Sequence, residues 1–359
     1  MMIMREHSTY REKRKQHDLK LIETCKIFNS DKGKKPFLLR DKNNPNGIWR
    51  PKADLLMSSN NNLFPQIVDE VILYFVLNHI SFHHLEGDAD FGFCIPSGHT
   101  LSSQIACLNH LYPLRYDKNA VLAIAKQINS EIVDVLQIES DKFLPGFISF
   151  EVISDIDHLN ETKGNQKLTR GTMCTSVDAM IYGKLKDDNK IIIPIEWKYT
   201  ENYHEDGKTD KDYSIENRGK EKEGKGKVRL QRYSDLINCS EQLSLKKDDY
   251  KSSVYFFEPF YQLMRQTLWA EQMIANNKTE TIKAEKFIHA HIVPNENKEL
   301  LQYEYPASMK GMKETWESCL TDINKYKVVE PKDLLANIDK TKYQTLINYL
   351  TTRYWNDDE

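Results

Sequence analysis

No apolar run in this chain of 359 residues reaches the roughly 20 residues that a helix needs to cross a bilayer. Its start, Met-Met-Ile-Met-Arg-Glu-His, passes into charged residues without an apolar stretch of the signal-peptide kind, so the expectation is a cytoplasmic protein. Six cysteines (25, 94, 107, 174, 239 and 319) are scattered, and no two form a Cys-x-x-Cys pair. That spacing speaks against a disulfide framework and against a structural zinc site. An overall basic excess is missing too: the formal net charge is −3, unlike a protein that coats nucleic acid through charge alone. No internal repeat is visible. What remains is an ordinary folded composition, 40% hydrophobic and 29% charged, long enough for two or three domains or for one elaborated core.

The most informative stretch is 174–201. Two β-branched and aromatic runs flank the polar segment Lys-Leu-Lys-Asp-Asp-Asn-Lys, the pattern of a hairpin. Symmetry about Asp187 sets Gly183 against Ile191, Ile181 against Ile193, Ala179 against Ile195 and Asp178 against Glu196. Side chains alternate across a strand, so Val177, Ala179, Ile181, Ile193, Ile195 and Trp197 form an apolar face. Ser176, Asp178, Glu196 and Lys198 share the opposite face. Like charges directly paired across strands are destabilising. A bound divalent cation would account for the two carboxylates, since hard oxygen ligands suit Mg²⁺ or Mn²⁺. The chemistry that uses such a site is metal-assisted phosphodiester hydrolysis. The plainer alternative is an ion-pair lattice on a solvent face, which stabilises little.

Around this hairpin the chain reads as follows. Residues 1–28 suggest an amphipathic helix with a basic start (Arg5, Arg11, Lys13, Arg14, Lys15), and 31–62 look loop-like, with Asn-Asn-Pro-Asn-Gly and Ser-Ser-Asn-Asn-Asn turns. Helical spacing follows over 63–80, over about 100–111 behind the cap types Thr100, Ser102 and Ser103, and over 118–138. Residues 147–153 read as a strand that puts Glu151 on one face. The charged stretch of about 202–227, with Lys208, Lys211, Arg218, Lys220 and Lys222 among its basic residues, is expected to be an insertion. Beyond it come a weak helix (228–240), a strong one (259–275) with Gln262, Arg265 and Gln266, and a strand (286–293) with His289 and His291 on one face. The C-terminal part reads as helices over 316–326, 331–338 and 343–354.

The order helix, three strands, helix, strand, with Asp178 on the second strand and Glu196-Trp197-Lys198 on the third, resembles the PD-(D/E)XK nuclease-like superfamily over roughly 94–300. It is most similar to a bacterial branch with Ser102-Ser103-Gln104 on its helix, Ser176-Val177-Asp178 on one strand and Ile195 to Glu201 on the next. The resemblance implies a restriction-endonuclease-like α/β core (αβββαβ), a mixed central sheet flanked by helices, with a mainly helical region at 1–90, the core at 91–300 and a helical region at 301–359. It implies DNA as substrate and partner, Mg²⁺ or Mn²⁺ as cofactor, and a homodimer if both strands are cut. Asp178, Glu196 and Lys198 would be catalytic. Asp178, Glu196 and the Trp197 backbone carbonyl would hold the metal, and Gln104, Gln262, Arg265 and Gln266 would reach the substrate. Two departures stand out: Val177 occupies the place of the name-giving Pro, and the first helix lacks the acidic ligand of many members, for which Glu151 is the candidate substitute.

Overall fold

The computed structural model describes residues 9–41, 44–92, 94–141, 144–162, 167–171, 174–203, 225–246, 254–305 and 308–355. The basic residues expected in the charged insertion between 204 and 224, and Arg5 at the start, lie outside them. By contact density the chain divides into two compact units. One comprises 1–77, 81–113 and 339–359; the other comprises 78–80 and 114–338. The first unit thus extends to Pro113 and takes in the segment from Asp339 onward, where the sequence suggested limits at 90 and 300.

In the first unit, helix α1 (Tyr10–Glu23) begins where the Thr9 hydroxyl accepts the Glu12 N–H. Its basic start is largely a solvated face, except that Arg14 is buried and donates to the Arg353 carbonyl. Residues 31–62, expected as loop, contain an antiparallel ribbon instead: β1 (Lys35–Asp41) pairs with β2 (Asn44–Lys52). Its Pro and Asn content masks the strands, and no clean apolar alternation marks them because much of the ribbon faces solvent. Helix α2 (Val68–Leu77) follows, then α3 (Ser103–Leu111), capped by the Ser102 hydroxyl. A C-terminal helix, Gln344–Leu350, completes the unit. Its interior is tied by polar groups: buried Arg353 donates to the Asn62 carbonyl and to the Tyr349 hydroxyl, both at 2.6 Å. Asn109 donates to the same Asn62 carbonyl at 3.0 Å.

The second unit is a seven-stranded sheet with helices. Helix α4 (Lys118–Ile128) is capped by Asp117, whose carboxylate accepts the Asn119 and Ala120 N–H groups. The helix expected over 118–138 stops there. Asn129 leaves the helical region at φ −145°, and the β-branched run after it becomes strand β3 (Ile132–Leu136). Next come β4 (Ile148–Val152), β5 (Val177–Leu185) and β6 (Lys190–Trp197), then helices α5 (Lys225–Cys239) and α6 (Phe260–Ala275). The expected strand 286–293 is two short pieces, β7 (Lys286–Phe287) and β8 (His289–Ile292). After α7 (Lys298–Leu301) and α8 (Met312–Glu317), the helix expected to reach 326 has already ended, and Tyr326–Val329 is strand β9; α9 (Pro331–Leu334) closes the unit. Tyr326, Val328 and Val329 suit a pleated surface better than a helix.

The strand order is β3-β5-β6-β8-β9, with β4 also on β5 and β7 also on β6. Pairing is antiparallel from β3 through β6 and parallel from β6 through β9, so the sheet is mixed. The expected hairpin register holds: Gly183 opposes Ile191, Ile181 opposes Ile193 and Ala179 opposes Ile195. Every residue of β6 from Ile191 to Trp197 is buried, as in a central strand covered on both faces. The ladder runs on past its end, where the Lys198 N–H donates to the Ile292 carbonyl at 2.8 Å.

A buried ionic knot braces β4 from the side. Arg115 is fully enclosed and donates to the Ile148 and Leu144 carbonyls and to Asp141, which also takes Arg170. Removing Arg115 strips the donor from two backbone carbonyls and leaves Asp141 to Arg170 alone, and a buried polar group left without its partner costs about 1–3 kcal/mol. Arg115→Ala should therefore lower unfolding stability by that order in a urea titration, whereas a change under about 1 kcal/mol, the scale of an exposed pair, would show the knot to be dispensable.

Candidate active site

The polar end of the β5–β6 hairpin lies beneath α6. The paired ladder stops at Ala179 and Ile195, and beyond it the Asp178 carboxylate accepts the Trp197 N–H at 2.7 Å. Glu196 and Lys198 are both buried, and the Lys198 ammonium meets the Glu196 carboxylate at 2.5 Å. Thus Asp178, Glu196 and Lys198, read from the sequence as one face, occupy one site.

Helix α6 supplies the cover. Gln262 and Gln266 lie four residues apart, on one side of a helix. Gln262 accepts a hydrogen bond from the Lys198 ammonium, and the Tyr203 hydroxyl donates to the same oxygen at 3.4 Å. Gln266 donates to Glu196 and, at 3.5 Å, to the Ser176 carbonyl, while its oxygen accepts the Nε2–H of His289 at 2.7 Å. An amide that gives on one side and receives on the other fixes the orientation of both neighbours. His289 is buried and its pKa is pushed down to about 4, so the ring is neutral. His291 opposes Glu196 in the parallel ladder, stands 2.9 Å from the Tyr326 hydroxyl, and is likewise held well below the usual range by burial.

The electrostatics are unbalanced toward acid. Burial raises the Asp178 pKa well above the ordinary carboxylate range, and Glu196 and Glu151 raise it further against the opposing pull of Lys198. Burial alone would depress Lys198, but Glu196, Tyr203, Glu201 and Asp178 carry it well above the usual lysine value. Glu151 is buried at a left-handed backbone position (φ 49°), and the Ser176 hydroxyl donates to it at 3.0 Å. A further carboxylate, Glu258, stands at the mouth of α6. Burial raises its pKa, Lys198 and Glu196 pull it in opposite directions, and one of its oxygens is enclosed without a hydrogen bond. Its only sequence signal is an acid just ahead of a Pro that opens a helix.

Other candidate substrate contacts are engaged elsewhere. Arg265 makes a two-nitrogen contact with Glu161, at 3.0 and 2.9 Å, and Glu161 also takes the Tyr233 hydroxyl at 2.5 Å. Gln104 belongs to the first unit, where its side chain accepts the His83 N–H at 2.9 Å and donates to the Ser81 carbonyl at 3.4 Å.

A divalent cation fits this donor set in type and in charge: the acceptors are carboxylate oxygens, and burial together with their mutual repulsion lifts Asp178. Among the described residues no group of three or more His, Cys, Asp or Glu is arranged as a metal cluster. Mg²⁺ does not demand one, because it commonly binds through one or two carboxylates and keeps several waters.

A mixed sheet whose central strand ends in Glu-x-Lys beside an Asp from the neighbouring strand defines a restriction-endonuclease-like core. The family model described as REase-ARP, restriction endonuclease associating with ARP, matches residues 23–355, and the chain belongs to that family. No curated protein and no solved structure matches it. Among the described residues no helix is long and apolar enough to cross a membrane.

The raised Asp178 pKa has a consequence for stability. Above the ordinary value of 3.8 the folded chain binds more protons at this site than the unfolded one, so stability falls as pH rises through that window. With metal chelated, Asp178→Asn should raise Tm at pH 8 by about 2–4 °C, corresponding to roughly 1 kcal/mol in a domain of this size. The gain should vanish near pH 4. A variant that melts below the wild type at pH 8 would contradict the assignment.

Proposed function

We propose that the second unit hydrolyses phosphodiester bonds of DNA with the help of Mg²⁺ or Mn²⁺. The observation that carries this reading is the Asp178–Glu196–Lys198 group, gathered on one face at the end of the hairpin in a chain of a restriction endonuclease family. Asp178 and Glu196 would hold the cation, with the Trp197 backbone carbonyl as a further ligand and Glu151 beside them. When bound, the ion would polarise the scissile phosphate and supply a nucleophilic water at neutral pH.

The chain's own residues divide the remaining work. Lys198, kept charged by its acidic neighbours, acts as a cation that donates to a phosphate oxygen and offsets developing negative charge; it is a poor general base in this state. Gln262 and Tyr203 hold its ammonium, and Gln266 aims Glu196. In this reading the two glutamines serve the substrate by positioning these charges. Family membership adds an association with ARP, and cutting of both strands would call for a homodimer; the setting would be cytoplasmic.

A second reading, a nuclease-fold module that binds nucleic acid or protein without cutting, draws on one observation: both carboxylates already accept from protein donors. Plasmid cleavage decides between the two. The purified protein should nick or linearise plasmid in Mg²⁺ or Mn²⁺ and not in EDTA. Asp178→Ala, Glu196→Ala and Lys198→Ala should each lower the rate about 10²–10³-fold, the scale of removing one group that stabilises transition-state charge. Inert wild type and variants that still bind DNA in EDTA would favour the module.

A further inference from the structure

The β1–β2 ribbon is basic. Residues 35–52 contain five Lys and Arg against a single acidic residue, Asp41, in a chain whose net charge is −3, and of the five Lys52 pairs with Asp54 at 2.7 Å. Its base is anchored. The Lys35 N–H donates to the Leu55 carbonyl, the Leu38 N–H donates to the Gly87 carbonyl at 2.7 Å, and buried Lys35 pairs with Asp88 and Asp90. Gly87 is required at that anchor: it has φ +104°, and a Cβ there would lie 2.5 Å from the Leu38 oxygen.

Beyond the anchor no third strand joins the sheet among the described residues. An isolated two-stranded hairpin is marginal in water, so large apolar side chains on one are expected to have something to cover them. Leu39, Ile48 and Trp49 are each about half exposed, at 49, 50 and 53%. Arg50 is exposed and has no carboxylate partner among the described residues, and Arg40 only approaches the equally exposed Glu86, at 3.7 Å. Strand addition by another protein is poorly served, because Pro45 and Pro51 interrupt the donors of β2 and Pro36 those of β1.

We propose that this ribbon is a DNA-binding arm that enters a groove of duplex DNA, with Arg40 and Arg50 on the phosphates and Trp49 against sugar or base edges. The major groove of B-DNA admits a two-stranded β-ribbon, and cationic side chains supply the salt-sensitive part of such binding. Prolines on both strands protect the exposed edges from pairing with other chains while the ribbon waits for its partner. The inference goes beyond the cleavage reading and does not depend on it, since the residues involved lie outside the second unit.

The test is fluorescence anisotropy of a labelled duplex of about 30 bp with the full chain in EDTA, over about 50–200 mM salt. Arg40→Glu/Arg50→Glu should weaken binding at least about tenfold and lower the slope of log affinity against log salt by about two. Trp49→Ala should weaken it about tenfold with the slope unchanged. Thermal melts matching the wild type exclude misfolding, and each variant reports independently if the other fails to fold. Wild-type protein that does not bind the duplex, or variants that bind as well as wild type, would overturn the proposal. So would an RNA duplex that competes equally, because the A-form major groove is too narrow for a ribbon. Loss of self-association in sedimentation by Trp49→Ala, with duplex affinity intact, would reassign the surface to a second copy of this chain and overturn it too. Plasmid cleavage in Mg²⁺ is read separately: cutting without ribbon-dependent binding sinks only the arm, and ribbon-dependent binding without cutting sinks only the nuclease reading.

Discussion

The site depends on one constraint: carboxylates are brought together under a helix, Glu151 and Glu196 buried and Asp178 half-buried. Asp178 and Glu196 come from neighbouring strands, and Glu151 from the strand on the other side of β5. Ordinary surface strands would let these side chains turn away into solvent. Here α6 covers the hairpin, Glu196 is buried, and burial and repulsion together appear as an elevated Asp178 pKa. Proteins commonly give up stability in this way at functional sites. The single ammonium of Lys198 is placed so that it relieves Glu196 directly and Asp178 at longer range.

The hairpin and its register were readable from sequence because their signal is local. Alternating Ile, Ala and Trp on either side of a polar turn admit few pairings, and the one expected from symmetry about Asp187 is the one found. Asp178, Glu196 and Lys198 followed from that register. Helix α6 was readable for a similar reason, through its long apolar period behind a Pro.

What stayed hidden needed tertiary context. The ribbon at 35–52 has prolines and asparagines where a core strand would have apolar residues, so it reads as loop. Strand β3 follows α4 after only a short break, and its apolar residues continue the helical period well enough to conceal the change. Strand β9 gains its pairing from β8, far back in the chain, where Ala290 lies opposite Lys327 and His291 opposite Val328. Partners of the site polar groups were equally out of reach: nothing local says that Arg265 is taken by Glu161, or that Gln266 stands between His289 and Glu196.

That last arrangement fixes how a buried ring carries its proton. Gln266 gives its N–H to Glu196, so the amide must turn its own oxygen toward His289. The imidazole is consequently obliged to carry its proton on Nε2 and leave Nδ1 bare. The hydrogen-bond chain therefore has a sense of direction: it runs from the His289 ring through the Gln266 amide to the Glu196 carboxylate on the adjoining strand, and the acceptor at its far end sets the tautomer of the ring.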